Sequence, residues 1–515
     1  MKTAISALKI VIFLVLFFCS SVSVLGQKSQ ARIKIDIERQ IGEIDKMIYG
    51  NFVEHLGRCI YGGLYEPGSS LSDESGFRKD VIHAIKELNV PIVRWPGGNF
   101  VSGYHWQDGI GPKDQRPVRI DLAWGFRENN SFGTDEFMDW CRKVNTEPYF
   151  CVNLGTGTMD EARNWVEYCN VEKGTYYSDL RIKNGHSQPY NVKYWGLGNE
   201  VDSPLQMGYK NAEDYGKYAL EVAKLMKWID KDIKLIASGS SNYGGDWIHW
   251  NRTILEYLIR QVDYISLHNY VGNRNDNYYQ FMASTTFAED AIRITEGIIR
   301  EEMAKARRKR PVYIAFDEYN VWYRAKGEEG NEEVYNLEDA LVVAGYLNVF
   351  VRNSHIVKMA NMAQLVNVIA PIFTSKEGLF YQSIFYPLQL FSNHCYGCSV
   401  SAFVDCPQYD MNGEKIPYLD VSSAYNKETK ELIINVVNRN KDQFIDTEII
   451  SQYGQFEGKA TIYEVNGRDI KDHNSPEQQL VKTITKEMNV KGDKLIYNFP
   501  AHSYTMIVIP LKTKM

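Results

Sequence analysis

Cysteine is scarce in this sequence: eight occur in 515 residues, and only seven once residues 1–26 are set aside. An odd, sparse set in so long a chain is no disulfide framework. Cys395 and Cys398 form a lone C-x-x-C with His394 and Cys406 nearby. Without a fourth ligand at matching spacing, it reads as buried thiols or a local disulfide before it reads as zinc. No long basic run accompanies the net charge of −6, so a nucleic-acid surface has no support. No G-x-G-x-x-G follows the first strand-like run, which weakens a dinucleotide site. His55, His105 and His268 lie after different strands and form no H-x-H pair, so no metal is expected. Internal repeats, low-complexity tracts and long linkers are missing as well.

The chain does carry an apolar N-terminal run, Ile10–Phe18, behind Lys2 and Lys9 and ahead of small residues ending at Gly26. It is shorter than the roughly 20 residues of a membrane span and has the layout of a secretory leader. The expectation is cleavage after Gly26, export to the periplasm or beyond, and no stable membrane insertion afterwards. Apolar residues make up 44% and charged residues 24%, ordinary globular usage, so a sizeable core must form. The length calls for two or three domains.

Eight short apolar runs alternate with helical patterns: Met47–His55, Val90–Pro96, Pro148–Leu154, Lys193–Asn199, Ile233–Ser238, Asp263–Asn269, Pro311–Glu318 and His355–Gln364. Val81, Ile82, Ile85 and Leu88 follow one helix face, as do Tyr215, Ala219, Val222 and Met226. Eight β/α units predict an α/β fold, a (β/α)8 TIM barrel, over residues 47–390, with a doubly wound sheet as the alternative. From about residue 391 short β-rich runs such as Leu432–Val437 and Tyr504–Ile509 replace the helices, which predicts a C-terminal antiparallel β-sandwich over 391–515. Ile33, Ile35 and Ile37 alternate within 27–46 and could add a strand to it.

Barrel chemistry sits on the loops after the strands. There lie NFVEHLGR (51–58), RWPGGNF (94–100), YWGLGNE (194–200), SLHNY (266–270), AFDEYNVWY (315–323) and NMAQLVN (361–367). Glu200 ends strand four and Glu318 strand seven, nearly across the barrel, and two facing carboxyl groups suffice for glycoside hydrolysis. Strand alternation puts Glu318 on one face with Phe316 and Asn320, and Asp317 toward the helical layer or a neighbouring strand. Asn199 and Glu200 can both face the pocket only if the strand end is irregular. Trp95, Trp106, Trp322 and Tyr323 are candidates either for stacking on sugars or for the core.

EHLGRCIYGGLYEPGSS (54–70), RWPGGNF, YWGLGNE, FDEYNVWY and AQLVNVIAPI (363–372), in this order, resemble the motifs of the α-L-arabinofuranosidases of glycoside hydrolase family 51. The resemblance spans the whole barrel. It implies a retaining, exo-acting enzyme without a cofactor that releases arabinose from arabinan, arabinoxylan or arabino-oligosaccharides, with homo-oligomerisation left open. It implies Glu200 as acid/base and Glu318 as nucleophile, with Asn199 on the sugar 2-hydroxyl. It gives Glu54, Asn99 and Gln364 to further hydroxyls, places Arg94 and Tyr270 at the nucleophile, and sets His268 beside them. Arg94 would hold Glu318 ionised and Tyr270 would donate to its other oxygen, while His268 is equally readable as a structural histidine. Retention predicts carboxyl groups about 5–5.5 Å apart. The rivals are an endo-acting glucanase or xylanase on the same barrel and a glycan-binding protein without catalysis.

Overall fold

The computed structural model describes residues 30–324 and 331–513, and the expected leader, residues 1–26, lies outside the described residues. Eight parallel strands close into a barrel: Gly50–Phe52, Ile92–Arg94, Glu147–Val152, Tyr194–Leu197, Lys234–Ala237, Tyr264–Val271, Tyr313–Val321 and Val357–Ala363, the last returning to the first. Each lies within or overlaps one of the eight apolar runs. Closure rules out the open doubly wound sheet.

The helices between them follow from sequence spacing. Ala212–Ile229 starts where Asn211 accepts the backbone N–H of Asp214, a side-chain cap, and buries Tyr215, Ala219, Val222 and Met226 on one stripe. Lys79–Leu88 buries Val81, Ala84, Ile85 and Leu88 in the same way. Inside the barrel, Met47, Ile92, Tyr149, Tyr194, Ile236, Tyr264, Ala315 and Met359 pack into one plug. This apolar floor confines the polar side chains to the layers above it, at the C-terminal ends of the strands.

The second unit is a nine-stranded sheet. Its order is Lys482–Gly492, Gln455–Asn466, Ser503–Lys512, Glu431–Asn438, Leu419–Asn426, Cys398–Asp405, Ala31–Glu43, Ile445–Ser451 and Lys494–Phe499. All neighbours are antiparallel except Ala31–Glu43 with Ile445–Ser451. The two halves of the sheet face each other across one core holding Ile33, Ile35, Val436, Ile449, Phe499 and Ile507. Helix Leu337–Arg352 lies between barrel and sheet and is apolar nearly all round because both sides cover it. Its Asn348 and Arg352 bond Asp420 of the sheet, at 3.1 and 2.8 Å.

All seven described cysteines are unpaired thiols. Cys395 is fully buried and accepts from Asn435 through Sγ, so the C-x-x-C is neither a disulfide nor part of a metal-ligand cluster among the described residues.

Candidate active site

Glu318 sits on an irregularity of strand seven. Against strand six the ladder runs Ala315 to Ser266 and then Glu318 to His268, three steps on one strand against two on the other. The extra residue is a bulge, and it turns two consecutive carboxylates inward. Ala315 belongs to the barrel plug, whereas Phe316 packs outward on Tyr346 and Phe350 of helix Leu337–Arg352. Asp317 therefore does not face the helical layer. It accepts from Tyr149 Oη at 2.7 Å and lies 3.2 Å from His268 Nε2 and 3.6 Å from Arg94 Nε, all on other strands. Glu318 in turn does not share the face of Phe316.

Above Asp317, both oxygens of Glu318 are occupied. Arg94 Nη1 donates to Oε1 at 2.5 Å and Tyr270 Oη to Oε2 at 2.8 Å. The second arm of Arg94 donates to Asn199 Oδ1 at 2.6 Å. One guanidinium thus orients a carboxylate and an amide together, the forked geometry that lysine lacks. Burial disfavours a charged Arg94, but the neighbouring Glu318 and Asp317 charges outweigh it and hold the guanidinium protonated.

Glu200 reaches the pocket because the chain leaves strand four at Leu197 through Gly198, at φ +86°, and then through Glu200 itself at φ +43°. A non-glycine residue in the left-handed region costs about 1 kcal/mol, and here it brings Asn199 and Glu200 to the same pocket. Glu200 Oε1 lies 2.9 Å from His268 Nδ1, and Oε2 accepts from Gln206 Nε2 at 2.7 Å. Burial first, then the charge of Glu318, raise the Glu200 pKa against the hydrogen bond from His268. Burial alone would lower the His268 pKa, but Glu318, Asp317 and Glu200 push it up to about 10. The ring is then an imidazolium that donates from Nδ1 to Glu200 and faces Asp317 Oδ1 with Nε2 as an ion pair at 3.2 Å.

Glu200, His268 and Glu318 each offer one atom within 4.8 Å of the others, a spacing that could also hold a metal ion. Arg94 and protonated His268 already supply the cations there, and Glu318 has both oxygens engaged. The donor set therefore does not fit a metal.

The remaining candidates follow the ends of strands one, two and eight. Glu54 Oε1 accepts from Phe100 N at 3.1 Å and Trp124 Nε1 at 2.9 Å, and Oε2 from Gln364 Nε2 at 3.1 Å. A Cβ at Gly98, whose φ is +60°, would come within 2.2 Å of the Glu54 carboxylate, so only glycine allows this approach. Burial and the Glu318 charge push the Glu54 pKa up to about 8. Asn99 Oδ1 accepts from Met207 N at 3.3 Å. Trp95 and Trp106 are fully buried core, while Trp322 packs edge-on against Tyr270 at 5.4 Å.

Sequence reasoning missed Gln206, Trp124 and Tyr149. Gln206 lies in the loop that follows Glu200, where asking which side chains can reach back to the carboxylate would have found it. Trp124 sits in the long connection after strand two, with no pattern to mark it.

Comparisons with known proteins give the family. Residues 84–288 match the profile described as α-L-arabinofuranosidase 1 domain, and residues 317–503 that of the α-L-arabinofuranosidase C-terminal domain. The chain is 47% identical over 434 residues to "Intracellular exo-alpha-(1->5)-L-arabinofuranosidase 1" of Bacillus subtilis, an alignment covering 82% of this chain and 87% of the relative. A solved family 51 α-L-arabinofuranosidase of Thermotoga petrophila is 41% identical, with a TM-score of 0.86 over 93% of this chain and 99% of that one. The chain belongs to the α-L-arabinofuranosidases of glycoside hydrolase family 51. A further member of the family, from Thermotoga maritima and solved as an arabinose complex, is 42% identical with a TM-score of 0.86, covering 93% and 99% of the two chains.

Family relatives also correct the expectation of export. The Bacillus subtilis relative and one of Halalkalibacterium halodurans, 41% identical over 493 residues (93% of this chain and 98% of the relative), are named intracellular. A leader-like run of residues is a compositional pattern only, and seven unpaired thiols require no oxidising compartment. The reading of a cleaved leader and an exported protein is withdrawn. Among the described residues, no helix is long and apolar enough to cross a membrane.

Proposed function

We propose that the chain is a retaining, exo-acting α-L-arabinofuranosidase that releases terminal α-L-arabinofuranosyl residues from arabinan, arabinoxylan or arabino-oligosaccharides by double displacement. The observation that carries this reading is the pair of carboxylates: an oxygen of Glu200 and one of Glu318 lie within 4.8 Å of each other, in unlike surroundings. Inversion would need about 6.5–9.5 Å between the groups, to seat a water.

The surroundings divide the labour. Glu318, clamped by Arg94 and Tyr270, is the nucleophile that attacks the anomeric carbon. Glu200, its pKa raised, gives its proton to the departing glycosidic oxygen. Forming the ester removes the Glu318 charge and with it one of the causes that raise Glu200. Glu200 then takes a proton from water, the water attacks the anomeric carbon, and the bond to Glu318 breaks. Arg94 and His268 act as positioning residues. Glu54, Asn99, Asn199 and Gln364 follow four strand ends and offer hydrogen-bonding groups enough for most hydroxyls of one small sugar, which favours exo action and hydroxyl-specific recognition.

The test is hydrolysis by the purified protein of aryl α-L-arabinofuranosides and of arabinan or arabinoxylan side chains, against aryl β-glucosides and unbranched β-glucan. Arabinose should be released from the first group and the second left nearly untouched. Shortening of unbranched β-glucan without attack on the arabinofuranoside would replace this reading with the endo-acting one.

A further inference from the structure

Tyr270, the donor to Glu318 Oε2, stands one residue before the end of strand six. Just beyond it, Val271 O accepts from Trp322 N at 2.9 Å, and Asn273 Nδ2 donates to Glu338 Oε2 at 3.2 Å. Glu338 is fully buried in the first turn of helix Leu337–Arg352. Its other oxygen accepts from Lys471 Nζ at 2.7 Å, and the same ammonium donates to Asp276 Oδ1 at 2.6 Å. Lys471 belongs to the sheet unit, in the loop after strand Gln455–Asn466. That loop is fixed to the helix start: the Ile470 and Asp472 carbonyls accept from Glu338 N at 3.0 Å and Leu337 N at 2.9 Å, two of the N–H groups that a helix start leaves without intrahelical partners. Further along the segment after strand six, Tyr409 Oη of the sheet unit donates to Tyr279 O at 3.2 Å, and the two rings lie 5.0 Å apart.

We propose that Lys471 is a positioning residue for the hydrolysis: through Glu338 and Asn273 it fixes the end of strand six, and with it the Tyr270 hydroxyl that orients the nucleophile. The inference rests on the reading of Glu318 as nucleophile and gives the C-terminal sheet a part in the reaction. Three observations carry it. Lys471 bridges carboxylates from two barrel connections, Asp276 after strand six and Glu338 after strand seven, so one ammonium sets the spacing between them. That spacing is tight: a Cβ at Gly272 would come within 2.6 Å of Tyr323, and Tyr270 meets Trp322 edge-on at 5.4 Å. Glu338 has no ready substitute, since the other cation within 4.0 Å of it among the described residues is Arg324, which is bonded to Asp339. Without Lys471 a buried carboxylate must turn toward Arg324 and away from Asn273.

The experiment measures kcat and KM on an aryl α-L-arabinofuranoside for the wild type, Lys471→Met, Tyr270→Phe and the double variant. Lys471→Met should lower kcat by about tenfold, the scale of a small misplacement of reacting groups caused from a distance, with KM nearly unchanged. In the Tyr270→Phe background, where the hydroxyl is already gone, the same substitution should lower kcat by about twofold or less. A loss of folded protein would multiply equally through both backgrounds. Equal losses in the two therefore overturn the proposal, as does a Lys471→Met protein with wild-type kcat. If Lys471→Met does not fold, Asn273→Ala breaks the path one step nearer Tyr270 and goes through the same cycle, with the same two outcomes overturning the proposal. A wild type inactive on the aryl substrate overturns the arabinofuranosidase reading instead.

Discussion

Asp317 and Glu318 are neighbours in sequence, and Arg94 is near both: Nη1 meets Glu318 Oε1 at 2.5 Å while Nε lies 3.6 Å from Asp317 Oδ2. His268 repeats the relationship, with Nε2 3.2 Å from Asp317 and Nδ1 3.5 Å from Glu318. Two cations thus share two adjacent buried anions. The charges hold one another in place, and removing any one leaves a buried partner uncompensated.

Asp317→Asn tests that arrangement. It keeps the shape but removes the anion beneath His268 and Arg94. Stability should fall by about 1–3 kcal/mol, and kcat on an aryl arabinofuranoside by at least about tenfold, with a smaller change in KM. Urea unfolding and steady-state kinetics read both. A near-silent variant would show that Asp317 is only a filler of the barrel.

Glu318→Ala should abolish turnover on every substrate. Glu200→Ala should still form the arabinosyl-enzyme from substrates with very good leaving groups, then stall, and azide should restore turnover by replacing the water that Glu200 activates. Near-normal activity in Glu318→Ala would remove the nucleophile assignment.

Gln206 donates to Glu200 Oε2 at 2.7 Å and so favours the ionised carboxylate. Gln206→Ala should therefore raise the Glu200 pKa further. Because Glu200 must be protonated for the first step, the alkaline limb of kcat/KM should move to higher pH, while kcat drops as the orientation loosens. A pH profile identical to the wild type would mean that the contact is incidental.

Stability should decline with rising pH. Glu54 is raised from 4.5 to about 8 and His268 from 6.5 to about 10. Each raised group contributes stability that is complete below its unfolded value and lost as pH climbs through its folded value. Asp317, lowered because Arg94 and His268 outweigh burial, acts the other way and loses its contribution as the medium becomes acidic. The thermal midpoint should fall between about pH 5 and about pH 9, and Glu54→Gln should flatten the lower part of that slope.

The eight strand ends were legible because each buried strand is a short apolar run punctuated by a polar end, and periodicity distinguishes the helices between them. The orientation of Asp317 was not. Alternation assumes one residue per ladder step, and the bulge between Ala315 and Glu318 breaks that assumption with no glycine or proline to mark it. At Asn199 and Glu200 the irregularity could be foreseen, since Gly198 offers the turn, but not its form, a left-handed Glu200 whose carboxyl meets Gln206 of the following loop and His268 of strand six. The antiparallel C-terminal unit was readable, with Ala31–Glu43 as an added strand, but the order of its strands was not, because partners as distant as Arg32 and Asp405 leave no local signal.

That distance bears on synthesis. Strand Ala31–Glu43 emerges from the ribosome before any of the barrel, yet both its neighbours, Cys398–Asp405 and Ile445–Ser451, are translated after nearly all of it. Until they arrive, Ile33, Ile35 and Ile37 have no covering face and the strand offers two open edges to any passing chain. A barrel truncated before Cys398 should therefore form its eight strands and still precipitate, because its first strand was made for a sheet that never came.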